Sequence, residues 1–193
     1  EARRRADAAG HYRYPLPKAY GGQDGTNLGM AVIREHFASM GLGLHNDLQN
    51  EHSIVGNNVG LLLMIEYGTD QQKAEWIDGL AEGSAGFAFG ITEPEHGSDA
   101  THMETTARRE GDEWVINGSK TWNTGIHKAK HDLIFARTSG EAGDGKGITA
   151  FLTPTHSDGF QVEEMLWTFN MPTDHGRISL KDVRVPREAI LGG

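Results

Sequence analysis

The sequence predicts an α+β fold: an N-terminal α-helical domain, residues 1–86, followed by an all-β part of barrel or sandwich type, residues 87–193. Two observations predict it. Hydrophobic periodicity is helical before residue 86 and strand-like after it. The second half is also cut into short apolar runs by Gly, Asn, Asp and Pro, and about seven such runs in ~105 residues suit a closed or stacked sheet. No internal repeat or low-complexity linker interrupts the 193 residues.

Taken in order, "YRYPLPKAYGGQDG" (12–25) reads as an extended entry with turns, because Pro and Gly punctuate it. "NLGMAVIREHFASMG" (27–41) places Leu28, Val32, Ile33, Phe37 and Met40 near one helix face. "SIVGNNVGLLLMIEYG" (53–68) is a second, more buried helical segment that Gly68 ends. "TDQQKAEWIDGLAEG" (69–83) opens with Thr69 and has Gln72 three residues on, a capping-box pattern. The strand signals follow: "GFAFGI", "EWVING", "SKTWNT", "DLIFART", "GITAFLTP", "GFQVEEM" and "RISLKDVRV". Asn117-Gly118 signals a type I′ hairpin turn. Gly111-Asp112 and Asp158-Gly159 signal two more turns.

Apolar residues make up 37% and charged residues 23%, a balance that permits a sizeable core. The formal net charge of -9 argues against non-specific binding to nucleic acid or anionic membrane. Arg3, Arg4 and Arg5 run against that balance, and three cations at a chain end read as a solvated face. With no cysteine, disulfides, thiolate catalysis and cysteine-ligated metals are excluded. The longest apolar run, about seven residues around Leu61–Ile65, is far short of the ~20 a spanning helix needs. No signal-peptide pattern opens the chain, and the first residue is not Met, so the start reads as a truncation.

Several candidate sites fail on their chemistry. "GEAGDGKG" (140–147) nearly matches a phosphate-binding loop, but Gly147 stands where Ser or Thr must contact magnesium, and a strand follows where a helix must begin. It reads as a hairpin loop. No G-x-G-x-x-G joins a strand to a helix, so a dinucleotide site of that kind has no support. Among ten histidines, His45 and His52 are seven apart and His127 and His131 four apart, with no accompanying ligand set. No metal site is expected.

One stretch resists a bland explanation. "FAFGITEPEHGSD" (87–99) passes from an apolar run into a turn with Glu93, Pro94, Glu95, Gly97, Ser98 and Asp99, and "KTWNTG" follows at 120–125. A simple β-turn accounts for Pro94 and Gly97. It does not account for neutral hydroxyls at Thr92, Ser98 and Thr124 beside the aromatics Phe87, Phe89 and Trp122. Hydroxyls and free amides beside flat apolar walls suit a planar heterocycle with polar edges and a phosphate tail. Glu93 and Asp99 repel phosphate and are expected to fix the turn through backbone amides.

These residues carry a family resemblance. "ITEPEHGSDA" resembles the T-E-P-x-x-G-S-D signature of the acyl-CoA dehydrogenase family. "GDEWVINGSKTWNTG" resembles its G-x-x-(Y/W)-x-(I/L)-N-G-x-K block, and "ISLKDVRVPREAILG" its F-x-D-V-x-V-P-x-x-x-x-L-G block. "AYGG" and "EYGTDQQKAEWIDGLAEG" resemble its N-terminal helical domain. The resemblance implies a β-barrel middle domain that binds flavin adenine dinucleotide (FAD). It places Phe89, Gly90, Ile91, Thr92, Gly97 and Ser98 on one side of the flavin, and Trp122, Asn123 and Thr124 on the other. By the same carry-over, Thr124 lies near flavin N5, Thr92 at the pyrimidine edge, and Ser98 where the pyrophosphate and the acyl-CoA meet.

The implied reaction is α,β-dehydrogenation of an acyl-CoA thioester. Its catalytic carboxylate is expected beyond Gly193, so no catalytic residue is assigned here, and the fragment alone is expected to be inactive. An oxygen-using acyl-CoA oxidase, a flavin monooxygenase or a non-catalytic flavin- or CoA-binding relative are the alternatives. The implied partners are acyl-CoA, an electron-transferring flavoprotein or similar acceptor, and further copies in a homodimer or homotetramer, with no nucleic acid and no membrane span. A bacterial cytoplasm is the expected setting, with the mitochondrial matrix as the alternative. In two places the sequence departs from the family. "FNMPTDHG" (169–176) stands where many members carry G-x-R-x-S-x-T, with Met171 for Arg, Thr173 for Ser and His175 for Thr. Asn123 stands where Ile is common.

Overall fold

The computed structural model describes residues 2–41, 59–169 and 171–193. The chain forms two compact units: Glu1–Glu66 with Lys73–Ser84, and Tyr67–Gln72 with Ala85–Gly193.

The first unit is helical. Helix α1 is Ala2–Ala8, and Arg13 Nε and Nη2 bond both carboxylate oxygens of Asp7 near its end, at 2.9 and 3.1 Å. The Pro- and Gly-rich entry then turns back on itself. The Gly25 amide donates to the Tyr14 carbonyl at 2.8 Å, and Gly22 packs so close to buried Leu16 that a Cβ there has no room. Helix α2, Asn27–Ser39, begins at Thr26, whose hydroxyl accepts from the Gly29 amide at 3.0 Å. Its expected apolar face is not a core face among the described residues. Leu28, Val32 and Met40 are exposed, and only Ile33 and Phe37 are half-buried. Helix α3, Val59–Tyr67, buries Leu61 and Met64 and stops before Gly68. The earlier part of that predicted segment, 53–58, lies outside the described residues.

Helix α4 is Asp70–Glu82. Its expected capping box is present: the Gln72 amide donates to Thr69 Oγ1 at 3.2 Å, and the Thr69 amide donates to Gln72 Oε1 at 3.0 Å. Within the second unit the same Gln72 side chain donates to the carbonyls of Glu188 and Ile190, at 3.0 and 2.7 Å. A single buried side chain thus caps the start of α4 and bonds the backbone at Glu188 and Ile190.

The second unit is a seven-stranded sheet: β1 (Ala88–Gly90), β2 (Thr106–Glu110), β3 (Glu113–Thr124), β4 (His131–Arg137), β5 (Ile148–Pro154), β6 (Phe160–Thr168) and β7 (Met171–Pro186). Strand β5 covers one edge of β4 along its length. On the other edge β1 pairs in parallel with Asp132–Ile134, and β2 meets Arg137 further on. The sheet then runs through β2, β3, β7 and β6, all antiparallel. Alternation along β3, β4 and β7 sends Ile116, Ile134, Ile178, Val183 and Val185 into one core with Phe151 of β5.

One sequence expectation fails here, and one strand carries no sequence signal. Asn117-Gly118 is not a hairpin turn but lies inside β3, so "EWVING" and "SKTWNT" are one strand. The register against β7 slips between Ile116 and Gly118 instead. Asn117 is spent on the partner strand: its amide donates to Asp182 Oδ1 at 3.1 Å and its Oδ1 accepts from the Asp182 amide at 2.9 Å. The strand without a signal is β2, whose polar "TARRE" gives no apolar alternation because only Ala107 of the five is buried. Turns do form at Gly111 and Gly159, with φ of 64° and 82°.

Candidate functional site

Strand β1 ends at Gly90, and the next three residues are stitched to β3. The Thr121 amide donates to the Thr92 carbonyl at 2.9 Å. Lys120 Nζ donates to the Ile91 carbonyl at 3.3 Å and to Glu93 Oε1 at 2.8 Å. Glu93 also accepts from the amides of Glu104 and Thr105, at 2.6 and 2.9 Å. Both charged side chains are buried. Burial works against the Glu93 charge, but the Lys120 ammonium, Thr105 and the Glu104 amide outweigh it and hold the carboxyl below its usual range. Burial pulls the Lys120 ammonium down against the opposing pull of Glu93. Glu93 thus nails the turn both to β3 and to the segment just before β2. Lys120 was not singled out from the sequence, because a lysine reads as surface until its partner is seen.

On β3 the two polar clusters come together. Between Lys120 and Asn123 the register against β7 slips again, and Trp122 takes φ of 64° in the left-handed region. That conformation turns the indole outward, 46% exposed, while Asn123 is fully buried on the other face. Asn123 Nδ2 donates to Asp132 Oδ2 on β4. Gly90 lies against this pair, and a Cβ on it would fall 3.0 Å from Asn123 Nδ2 and 3.2 Å from Asp132 Oδ1. Thr124 Oγ1 lies 2.9 Å from His175 Nδ1 on β7, and the His175 ring meets the Trp122 ring edge-on at 6.2 Å. Phe89 is partly exposed and packs on Phe135 at 5.1 Å.

The structure therefore ties Ile91 and Thr92 to the strand that carries Trp122, Asn123 and Thr124. It leaves Gly97 and Ser98 on the exposed crest of the turn, where no hydrogen bond among the described residues ties them to that strand. A Cβ at Gly97 would meet nothing within 4 Å, so the backbone there is open to close approach. Asp99 differs from expectation. It holds the turn through side chains, accepting from Thr101 Oγ1 at 2.8 Å and pairing with His102 Nδ1 at 2.7 Å, and not through amides. His102 and Thr101 together hold the Asp99 carboxyl below its usual range. The 140–147 loop closes between β4 and β5 with the Lys146 amide on Asp144 Oδ1 at 2.9 Å, and a strand follows it. No group of three His, Cys, Asp or Glu able to hold a metal occurs among the described residues; His45 and His52 lie outside them. No helix of the described residues is long and apolar enough to cross a membrane.

A helical unit followed by a sheet-rich unit, with a T-E-P turn pinned to an N-G-x-K strand, defines a two-domain α+β protein of the acyl-CoA dehydrogenase type. Residues 1–84 match the N-terminal domain of acyl-CoA dehydrogenases and residues 88–183 match their middle domain. The chain belongs to the acyl-CoA dehydrogenase family. It is 35% identical over 178 residues to the acyl-CoA dehydrogenase FadE12 of Mycobacterium tuberculosis, covering 92% of this chain and 44% of that protein. It is 34% identical over 188 residues to a 3-(aryl)acrylate reductase of Clostridium sporogenes, covering 95% and 47%. Among solved structures, a glutaryl-CoA dehydrogenase from Mycobacterium smegmatis in complex with FADH2 superposes with a TM-score of 0.73 at 30% identity, covering 98% of this chain and 46% of that one. The chain thus spans about half the length of the curated relatives it matches.

Proposed function

We propose that this chain forms the helical and flavin-binding parts, residues 1–86 and 87–193, of an FAD-dependent enzyme that α,β-dehydrogenates an acyl-CoA thioester. The observation that supports the reading most is the Thr121–Thr92 backbone bond with the Glu93–Lys120 pin, which joins Ile91, Thr92 and Glu93 to the strand that carries Trp122, Asn123 and Thr124. The residues fit the group. Thr92, Ser98 and Thr124 offer neutral hydroxyls, Phe89 and Trp122 offer exposed aromatic faces, and the open backbone at Gly97 admits a bulky tail. When bound, FAD supplies the two-electron acceptor for the hydrogen that leaves the β-carbon as hydride.

The chain's own residues bind and orient. Trp122 and Phe89 wall the ring and exclude water. Thr124 and Thr92 present hydroxyls to its polar edges. Ser98 and the Gly97 backbone face the pyrophosphate and the thioester tail. We assign no residue of this chain as the base that takes the α-proton. Of the carboxylates in the turn, Glu93 is consumed by Lys120 and two amides, and Asp99 by His102 and Thr101. On this reading the base is sought outside the turn, and the resemblance to the family puts it beyond Gly193. The remaining parts of the reading are an electron-transferring flavoprotein or similar acceptor, a homodimer or homotetramer, and a bacterial cytoplasmic or mitochondrial-matrix setting. The test is an FAD titration of the purified chain, followed by acyl-CoA with an added electron acceptor. Saturable FAD binding without turnover supports the reading. Steady-state dehydrogenation by this chain alone overturns the assignment of the base.

A further inference from the structure

Strand register pairs Thr124 on β3 with His175 on β7, and their side chains meet at 2.9 Å through Oγ1 and Nδ1. A hydroxyl both donates and accepts, whereas a ring nitrogen does one or the other according to its proton. The direction of this one bond therefore fixes where the Thr124 proton points. Asp174 biases the choice, because its Oδ1 lies 3.7 Å from the same Nδ1. A nitrogen lone pair facing a carboxylate is repelled, and an N–H there is attracted.

We propose that His175 carries a proton on Nδ1, donates it to Thr124 Oγ1, and so commits the Thr124 hydroxyl to act as a donor toward the ligand on the Trp122 rim. His175 is a positioning residue, since it acts through Thr124. The proposal rests on the reading that this rim holds FAD. A committed donor selects an unprotonated ring nitrogen, as at N5 of oxidised flavin, over the N–H of the reduced form.

The backbone is arranged to hold this geometry. The His175 amide donates to Thr173 Oγ1 at 3.3 Å, and the Thr173 hydroxyl donates to the Leu166 carbonyl on β6 at 2.7 Å. The Asp174 carbonyl accepts from the Gly125 amide at 2.7 Å. Thr-Asp-His is thus fastened on both sides, with the imidazole edge on Trp122. The next charges along the register, Glu164 on β6 and Arg177 on β7, pair with each other at 3.1 Å.

Two measurements test this. The first is nitrogen-15 NMR of the His175 ring in the chain without FAD. The expected result is a protonated Nδ1 that shifts toward the Nε2–H form in Asp174→Asn; an Nε2–H ring in the wild type overturns the proposal. The second compares FAD-loaded variants, with thermal melts to confirm folding. His175→Phe is expected to shift the flavin absorption spectrum in the same sense as Thr124→Val and to weaken FAD retention about five- to tenfold. His175→Asn, which keeps a donor at the Nδ1 position, is expected to restore both. Wild type that takes up no FAD overturns the cofactor reading and the ligand half of this proposal. Wild type that takes up FAD, responds to Thr124→Val and ignores His175→Phe overturns the role of His175 alone.

Discussion

Asn123 on β3 and Asp132 on β4 face each other inside the sheet, Nδ2 to Oδ2 at 2.5 Å, and both side chains are fully buried. Lys120, the nearby cation, is committed to Glu93. Asp132 is therefore a buried acid whose side-chain partner, Asn123, is neutral. Burial pushes its carboxyl up to about 7, against the weaker opposing pulls of Asn123, Lys120 and the Gly90 amide.

This fixes the sign of a pH dependence. An unfolded Asp titrates near 4. Between that value and about 7 the folded state holds the extra proton, so Asp132 makes stability fall as pH rises through this window and level off above it. Between pH 5 and 8 the loss is about 2–3 kcal/mol from this group. Urea melts at the two pH values are expected to show a smaller loss, by about that amount, in Asp132→Asn. Equal losses in the variant and the wild type count against a buried, protonated Asp132.

The Glu93–Lys120 pair is buried on both sides, so removing one partner strands a charge. Lys120→Met is expected to destabilise the fold by about 3–5 kcal/mol, and adding Glu93→Gln is expected to recover part of that loss. A double-mutant cycle by chemical denaturation measures the coupling. Additive effects contradict the pin that holds Thr92 against Thr121.

Gly118 has φ of 150°, and a Cβ there would fall 2.4 Å from Thr105 Oγ1 and 2.7 Å from its Cα. Because one of those atoms is backbone, a side chain swing cannot clear it. Gly118→Ala is expected to lower stability by about 1–3 kcal/mol. A melt unchanged by this substitution would show that β3 and the segment before β2 are not packed as described.

The fold class was legible because periodicity changes near residue 86, and the Thr69–Gln72 cap was legible because its pattern is local. The Gly118 bulge was not: Asn-Gly favours a hairpin locally, but Asp182 sixty-five residues away supplies the bonds that keep the strand running. The proposed rim was legible as two clusters through Thr92, Trp122 and Thr124. What joins them was not, because Lys120, Asp132 and His175 gain their roles only from partners on other segments of the fold. The His175 departure from the family pattern was the one available signal, and it gave a position without a partner.

Trp122 holds a left-handed backbone that a non-glycine residue adopts only under strain, and its indole is 46% exposed. Trp122→Gly is expected to leave stability unchanged or raise it by up to about 1 kcal/mol, while weakening FAD binding. Thermal melts and FAD titration on the same samples separate the two effects. A variant that loses stability and keeps its FAD affinity would make Trp122 a packing residue.

The central claim is that Thr92, Ser98, Trp122 and Thr124 form one FAD rim. Equilibrium dialysis of FAD against the wild type, Thr124→Val and Ser98→Ala tests it most directly. The account predicts saturable binding of one FAD per chain, weakened about five- to tenfold in each variant, with each variant still folded by its thermal melt. Absence of saturable binding, or identical binding by all three proteins, would contradict it.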